Sequence, residues 1–335
     1  MFLWEGHAPA RRSSMIRLTN GILFESGKVK FRFDPRRVTE DDVCMISHAH
    51  SDHLPSSFRS SKVICSEITK DFVKARKGKD VDIVRRDDVE LLDAGHIPGS
   101  NMFLVRGDKR VLYTGDFCTR DKAGREGARP RKCDALVIEA TYGKPHYVFP
   151  DHGEIMSAAK DWLEDIIRGD GTAVLFAYPL GKSQELSAAL KDLPLLLHPT
   201  IAENNRILLG HGYELPVKAV DERAPPEPPF IYMTSGFGKD RLRVGSFVKR
   251  GAKTAAFSGW ALDRGFSKMS GTDESFPLSD HCGYDELMGF VRNCAPEVVF
   301  TTHGFAKELA SKIRKELGID AQPLVAKQRT LDHFC

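Results

Sequence analysis

A run of metal-binding side chains follows directly after an apolar segment near the start of the chain. Residues 43–46 are continuously apolar, which is typical of a strand buried on both faces, and they lead into His48-Ala49-His50-Ser51-Asp52-His53. These four side chains cannot all point one way from a strand or a helix, but on a tight turn they can surround metal ions. Imidazole nitrogens and a carboxylate oxygen are ligands suited to zinc. The run therefore predicts a metal centre at the end of a buried strand.

Three further candidate ligands also follow strand-like segments. His96 lies in a glycine-flanked turn, Asp116 follows Thr114-Gly115, and His303 precedes Gly304. A single histidine at such a place is more often a hydrogen-bonded structural residue, but three strand ends of this kind in one chain favour a shared metal site. Asp34 ends another strand and suits an acceptor that fixes one ligating imidazole.

Composition narrows the class of protein without naming a substrate. The 335 residues are 41% hydrophobic, enough for one large core or for one core and a smaller inserted one. No apolar run approaches the ~20 residues that span a bilayer, and residues 1–14, which are poor in apolar residues, are not expected to form a secretory signal. Seven cysteines without a C-x-x-C pair predict a reducing cytoplasm rather than a disulfide framework. Because the net charge is only +3, affinity for a polyanion must come from local clustering.

The pattern of elements changes along the chain. Short strands are predicted at 21–24, 28–33, 43–46, 102–105, 110–113 and 136–138. From about residue 151 helices and strands alternate, with helices at 154–168 and 183–190 and strands at 172–178, 230–234 and 254–257. After residue 279 come a helix (284–291), a strand (298–301) and a helix (306–317). The alternation predicts a separate α/β unit in the middle of the chain.

The ligand pattern resembles the metallo-β-lactamase superfamily. This resemblance implies an α/β fold, an αββα sandwich with the metals at its strand ends. It implies one zinc held by His48, His50 and His96, a second held by Asp52, His53 and His303, and Asp116 as the bridge between them. Manganese is the alternative, since nitrogen and oxygen ligand sets accept both metals. Two metals suit in-line hydrolysis of a phosphodiester, for which Asp52 and Asp116 count as catalytic residues.

Three motifs resemble those that define the β-CASP nucleases within that superfamily. Glu139 in Glu139-Ala140-Thr141, His281 in Asp280-His281 and His303 match motifs A, B and C in order. The resemblance implies that His281 protonates the leaving oxygen and that Glu139 orients it, as an imidazolium paired with a carboxylate could do near neutral pH. It also implies an inserted α/β β-CASP domain. The predicted division is a tail (1–14), the sandwich (15–148 and 273–321), the insertion (149–272) and a second tail (322–335).

The resemblance is strongest to the short β-CASP exonucleases associated with DNA ligases in bacteria and archaea. Residues 141–150 also resemble the Artemis-like crosslink-repair nucleases. The prediction is a zinc-dependent DNA exonuclease of repair or replication. His303 departs from the pattern expected of a DNA nuclease. DNA-specific members of the Artemis-like group usually carry an aliphatic residue at motif C, whereas RNA-cutting members carry a histidine. An RNA-processing ribonuclease is therefore kept as the alternative, and a non-catalytic clamp-binding adaptor as a candidate of another class.

Two basic segments are candidates for contact with substrate phosphates. Residues 178–186 resemble the strand-turn-helix of the inserted domain, so that Lys182 and Ser183 at the helix start are expected to hold a phosphate. The triplet Gly181-Lys182-Ser183 is not part of a P-loop, because the first glycine of that motif would fall at Phe176. The loop after Asp116 is basic, and its Arg120 and Arg131 are expected to steer a phosphate backbone. Simple solvation is the alternative for both segments.

The last eight residues resemble the peptide by which DNA enzymes dock on a sliding clamp. Gln328, Leu331 and Phe334 have the spacing of that peptide, and one turn of 3₁₀ helix would place Leu331 and Phe334 on one side. Cys335 stands where a second aromatic is usual. The alternative is that the tail packs on the body of its own chain.

Overall fold

The computed structural model describes residues 16–122, 125–221, 226–235 and 240–324. The predicted N-terminal tail and the clamp-binding residues Gln328, Leu331 and Phe334 lie outside these residues. Within the described ranges, no helix combines the length and the apolar character that crossing a membrane requires.

The first segment of the chain is dominated by strands. In chain order its elements are β1 (Ile16–Thr19), β2 (Gly21–Ser26), β3 (Val29–Phe33), β4 (Arg37–Val38), β5 (Val43–Met45), β6 (Ser57–Phe58), β7 (Lys62–Val63), α1 (Glu67–Lys77), β8 (Asp82–Ile83), β9 (Val89–Asp93), β10 (Asn101–Arg106), β11 (Arg110–Tyr113) and β12 (Ala135–Glu139).

Helices and strands then alternate to the end of the described chain. The middle segment contains α2 (His152–Arg168), β13 (Thr172–Phe176), α3 (Lys182–Ala189), β14 (Leu195–Leu197), α4 (Pro199–Leu209), β15 (Phe230–Thr234), α5 (Asp240–Lys249), β16 (Lys253–Phe257), a 3₁₀ helix (Gly259–Leu262), α6 (Phe266–Ser270) and β17 (Glu274–Phe276). The last segment contains α7 (Tyr284–Cys294), β18 (Val298–Thr302), α8 (Ala306–Leu317) and β19 (Asp320–Pro323).

The first and last segments form a sandwich of two sheets covered by helices. One sheet has the order β1-β2-β3-β5 and the other β19-β18-β12-β11-β10-β9. Apolar side chains such as Phe33, Phe103 and Val137 fill the space between the sheets. Val73 of α1 packs in a cluster with residues of the first sheet, and α7 and α8 pack against the second. This is the predicted αββα arrangement, and the predicted fold class is confirmed.

Strand β12 explains why the site lies where it does. All five of its residues are buried, and it pairs in parallel with both β11 and β18. A parallel strand covered on both faces is expected to be continuously apolar, as residues 135–138 are. Its last residue is Glu139, so the one carboxylate of the strand emerges at the edge where β11 and β18 also end.

The middle segment forms a second α/β unit. Its five-stranded sheet has the order β14-β15-β13-β16-β17 and is parallel throughout. Helices α2, α3 and α4 contribute to the apolar cluster on one face, and α5 packs on the other.

Two predicted domain boundaries are corrected by strand pairing. Strand β17 pairs with β16, so the inserted sheet extends past the predicted end at residue 272. Strand β19 pairs with β18 as far as Pro323, so residues 322 and 323 belong to the sandwich rather than to the tail. Both strands are too short to carry a periodic pattern, which is why the sequence does not indicate them.

The two units contact each other on both sides of the strand ends. On one side Phe72 of α1 and Leu208 of α4 belong to one buried apolar cluster, together with Leu180. On the other side Trp260 of the 3₁₀ helix packs against Tyr142, with ring centroids 4.8 Å apart. The cleft between these contacts contains the predicted site.

Candidate active site

Three imidazoles and one carboxylate converge beneath the turn that follows β5. One ligand atom from each of His48, His50, His96 and Asp116 lies within 4.8 Å of all the others. The Nε2 atom of His96 is 3.1 Å from Nδ1 of His50, and Nε2 of His48 is 3.5 Å from an oxygen of Asp116. The Nε2 atom of His48 is buried and has no hydrogen-bond partner among the described residues. A buried polar atom of this kind is costly unless something binds it, and a cation among these four side chains would do so.

Hydrogen bonds on the far side of the rings set their orientation. Nε2 of His50 donates to the carbonyl oxygen of Leu180 at 2.9 Å, and Nδ1 of His96 donates to the carbonyl oxygen of Asp280 at 2.9 Å. Because a carbonyl only accepts, each ring carries its proton on that side and presents a lone pair to the group. Ligating histidines in proteins are generally oriented in this way.

The protonation of these imidazoles also suits metal binding. Burial, together with the neighbouring imidazoles, lowers the pKa of His48 and of His96 well below the usual value. Burial likewise lowers the pKa of His50 to about 3. The three rings are therefore neutral near pH 7, which is the form that ligates a metal.

A second group shares Asp116 with the first. It contains His53 and His303, and Nε2 of His53 lies 3.5 Å from the same Asp116 oxygen. Nδ1 of His53 is held by Asp34 at 2.7 Å, and the same Asp34 oxygen accepts the hydroxyl of Tyr113 at 2.6 Å. The structure thus places Asp34 where the sequence predicts an acceptor for a ligating imidazole.

Asp52 is the predicted ligand that the structure does not bring into either group. Its side chain is 72% exposed, and its nearest carboxylate oxygen lies 3.8 Å from Nε2 of His53. Although burial would lower the pKa of His53, the charges of Asp116, Asp34 and Asp52 raise it to about 10. This negative surrounding attracts a cation, and a metal that binds there must displace the imidazole proton.

His281 and Glu139 form a hydrogen-bonded pair beside Asp116. Nδ1 of His281 lies 2.8 Å from Oε1 of Glu139, whose other oxygen accepts the N–H of Thr141 at 3.0 Å. Burial alone would raise the pKa of Glu139, but the charge and hydrogen bond of His281 hold it at about 2. Burial would lower the pKa of His281, but Glu139 and then Asp116 raise it above the usual value. These shifts favour an imidazolium paired with a carboxylate, the arrangement that a general acid needs.

His50 and Asp116 of the first group, His53 and His303 of the second and the His281 ring line one cavity of about 260 Å³, whereas His48 and His96 are buried behind its lining. Asp52 and Thr141 also line it, and the inserted domain contributes Tyr178 and Lys182. Because both domains form its walls, their relative placement decides the shape of the site.

The side chains of three of the four residues predicted to contact phosphates have partners within the protein. The Lys182 ammonium lies 3.0 Å from Asp280, and the buried Ser183 hydroxyl donates to the carbonyl oxygen of Tyr178. Arg120 pairs with Glu286 and donates to the carbonyls of Ser279 and His281. Arg131 is exposed and is not among the described residues that line the cavity. The predicted phosphate contact of the Ser183 hydroxyl is not found, because this hydroxyl is buried against the backbone. Arg120 instead holds the segment that carries His281.

Two residues at the site are given no role by the sequence pattern. Asp280 is buried beside both His96 and Lys182, and Tyr178 lines the cavity with its ring 4.8 Å from that of His50. Asp280 directly precedes His281, and Tyr178 begins the segment 178–186 that contains Lys182. These positions within recognised motifs are the signal that could have indicated both residues.

The sandwich and a buried cluster of histidines and Asp116 that is able to bind metal are the features of a metallo-hydrolase. Residues 272–322 match the family described as "Zn-dependent metallo-hydrolase RNA specificity domain". The chain is 34% identical over 293 residues to a probable DNA ligase of Opitutus terrae, a match that covers 82% of this chain and 28% of the ligase. It is 26% identical over 358 residues to the probable RNase MJ4 of Methanocaldococcus jannaschii (80% of this chain and 82% of the RNase).

A further relative is the DNA cross-link repair 1A protein of Mus musculus, 33% identical over 184 residues, which are 49% of this chain and 18% of that protein. This chain thus spans less than a third of the ligase and of the repair protein that it matches. The fold, the site and these similarities together show that the chain belongs to the β-CASP family of metallo-β-lactamase-fold nucleases.

Proposed function

We propose that this protein is a zinc-dependent nuclease that hydrolyses DNA phosphodiester bonds, as an exonuclease in repair or replication. The observation that carries the proposal is the shared Asp116, which belongs to both histidine groups, lines the cavity and lies beside the His281–Glu139 pair. Two cation sites with a common carboxylate suit attack on a phosphodiester, where both the attacking and the leaving oxygen need stabilisation.

The chain supplies a distinct role for each part of the site. His48, His50 and His96 would hold one ion, His53 and His303 the other, with Asp116 between them and Asp52 at the exposed edge. When bound, the ions supply Lewis-acid stabilisation of the phosphate oxygens and a nucleophilic water at neutral pH. Manganese is the alternative to zinc, as for other nitrogen and oxygen ligand sets.

Proton transfer to the leaving oxygen falls to His281. Its Nδ1 is bound to Glu139, so Nε2 is the nitrogen available to the substrate. Glu139 keeps the ring charged and fixes its orientation through a second bond to the backbone of Thr141. The imidazolium then donates its proton as the bond to the leaving group breaks.

A groove beside the cavity suits a single strand. Its volume is about 780 Å³, it adjoins the cavity at Tyr178, and Arg76, Lys77 and Arg206 line it. The Tyr178 side chain is 43% exposed, and an exposed aromatic ring can stack with any base. The exposed Lys77 and the exposed Arg206, which pairs with Glu203 at 3.1 Å, can follow the phosphates of a strand whose scissile bond lies over Asp116.

The RNA-processing alternative rests on specific observations. His303 belongs to the second histidine group, the matching domain family is described by RNA specificity, and RNase MJ4 is matched over most of its length. DNA is preferred because the probable DNA ligase matches at the higher identity over a similar share of this chain. The repair protein named above supports the same choice.

The test is cleavage of end-labelled single-stranded DNA and of RNA of matched sequence, with zinc or manganese added. We expect stepwise loss of nucleotides from DNA, with 5′-phosphate and 3′-hydroxyl ends. The Asp116→Asn variant is the control for contaminating nuclease. Preferential cleavage of RNA would select the ribonuclease, and no cleavage of either strand by metal-loaded protein would contradict the proposal and favour an adaptor.

We further propose a cytoplasmic protein that docks on a sliding clamp through Gln328, Leu331 and Phe334. The support is the spacing of the three residues, which suits one turn of 3₁₀ helix. Calorimetric titration of a purified clamp with the full chain is expected to give a complex that Leu331→Ala with Phe334→Ala abolishes. Equal affinity of the double variant would exclude this docking peptide.

A further inference from the structure

One turn of the inserted domain touches the metal-binding residues of the sandwich. The turn connects β13 to α3, and its Leu180 carbonyl accepts the Nε2–H of His50 at 2.9 Å. The next residue, Gly181, has φ 109°, and a Cβ atom there would lie 2.6 Å from a side-chain carbon of Ile97 and 2.9 Å from an Asp280 oxygen. The turn is therefore pressed against the sandwich at the first histidine group, with no room for a larger residue at its centre.

A buried ionic cluster holds this turn in place. The two carboxylate oxygens of Asp280 lie 3.0 Å from the Lys182 ammonium and 3.2 Å from that of Lys122. Lys122 also lies 3.7 Å from Glu185, whose other oxygen is 2.6 Å from Nε2 of His152. The side chains of the two lysines and the two acidic residues are each at most 13% exposed, and the two ammonium groups balance the two carboxylates. Removing one member of such a cluster leaves another charge without its partner.

Asp280 joins the cluster to the metal-binding residues. Its side chain binds Lys182 of the inserted domain, while its carbonyl oxygen accepts the Nδ1–H of His96 at 2.9 Å. A displacement of the inserted turn is thus transmitted to two ligating rings, to His50 through Leu180 and to His96 through Asp280. Loss of a hydrogen bond that orients a ligating imidazole typically lowers metal affinity by about 10–100-fold.

We propose that the inserted domain completes the metal centre of the sandwich, with Lys182 and Asp280 as positioning residues for His50 and His96. The inference rests on the proposed assignment of these histidines as metal ligands, and it does not depend on which nucleic acid is cut. It gives Lys182 a different role from the predicted phosphate contact. The two roles differ in what they change, because a phosphate contact affects the KM for substrate and a positioning residue affects zinc affinity before substrate binds.

The experiment measures zinc affinity of the chelator-stripped full chain by competition with a chromophoric chelator. Lys182→Met is expected to weaken binding of the zinc ion held by His48, His50 and His96 by about 10–100-fold, since the turn loses its tie to Asp280. Gly181→Ala is expected to do the same, because its Cβ displaces the turn. Lys182→Arg keeps the ion pair and is expected to stay within a few-fold of wild type. Lys160→Met is the matched control, since Lys160 is exposed on α2 and pairs only with Glu164 among the described residues.

Circular dichroism of the metal-free variants checks that each one folds. Loss of zinc affinity in both Lys182→Met and Gly181→Ala, with Lys160→Met unchanged, supports the proposal. Wild-type zinc affinity in these two variants would overturn it, and a raised KM in Lys182→Met alone would then make Lys182 a phosphate contact. A protein that binds zinc with the expected variant pattern and cuts no nucleic acid would refute the proposed nuclease activity and leave this inference intact.

Discussion

Replacing His281 by alanine should affect substrates according to their leaving group. The ring is the proposed proton donor, held by Glu139 at 2.8 Å, and it belongs to neither histidine group. General-acid catalysis typically contributes about 10²–10⁴-fold, which corresponds to roughly 3–5 kcal/mol of transition-state stabilisation. We expect His281→Ala to lower kcat on an oligonucleotide by a factor in this range, because the leaving alkoxide needs a proton.

A nitrophenyl ester of a nucleotide provides the decisive comparison. Nitrophenolate leaves without a proton, so His281→Ala should change its release by only a few-fold. The assay is the absorbance of nitrophenolate for the ester and gel-resolved cleavage for the oligonucleotide, with zinc content measured on the same samples. His146→Ala is the matched control, because His146 is exposed and pairs with Asp263 away from the cavity.

Glu139→Gln separates charge from packing in the same pair. Glutamine keeps the size of the side chain and a hydrogen-bond acceptor but not the negative charge that raises the pKa of His281. We expect an oligonucleotide rate between those of wild type and His281→Ala. If His281→Ala lost the same factor on both substrates while retaining zinc, the ring would act on substrate binding or on the nucleophile, and the general-acid assignment would be refuted.

Three further predictions test the metal groups, the backbone and the groove. Asp34→Asn should weaken zinc binding by about 10–100-fold, because an amide orients the His53 ring less firmly; chelator competition measures this, and unchanged affinity would contradict the role of Asp34. Gly95→Ala should lower the free energy of unfolding by more than about 1 kcal/mol, since φ is +63° and the new Cβ would lie 2.3 Å from a backbone oxygen. Gly78→Ala is its control, because the φ of +61° there is similar and no described atom lies within 4 Å; equal losses in urea denaturation would exclude the steric argument. Tyr178→Ala should raise the KM for single strands about 10-fold while Tyr178→Phe does not, and steady-state kinetics in which both variants resemble wild type would remove the ring from the groove.

Some elements follow from local sequence and some do not. Strand β15 and helix α8 have the predicted bounds, because one is a continuous apolar run and the other has regular helical periodicity. Helices α1 and α4 are not predicted. Only Thr69, Phe72 and Val73 of α1 are buried, so its apolar stripe is too narrow to stand out, and α4 carries two buried asparagines. Both helices pack at the contact between the domains, and their stability comes from that packing rather than from a local pattern.

The family, the fold class and the residue types of the candidate ligands can be predicted from the sequence, because each candidate ligand follows a strand and its residue type limits what it can bind. Which of the basic side chains have an internal partner is apparent only in the folded protein. In the sequence, Lys122 and Lys182 appear available to bind a phosphate. In the structure both pair with Asp280, which is 158 and 98 residues away, and Arg120 pairs with Glu286. Ion pairs between residues so far apart leave no local pattern, since they form only when folding brings distant segments of the sandwich, and for Lys182 the inserted domain, into contact. The same long-range contact placed the Leu180 carbonyl on His50, and so made the inserted domain part of the site.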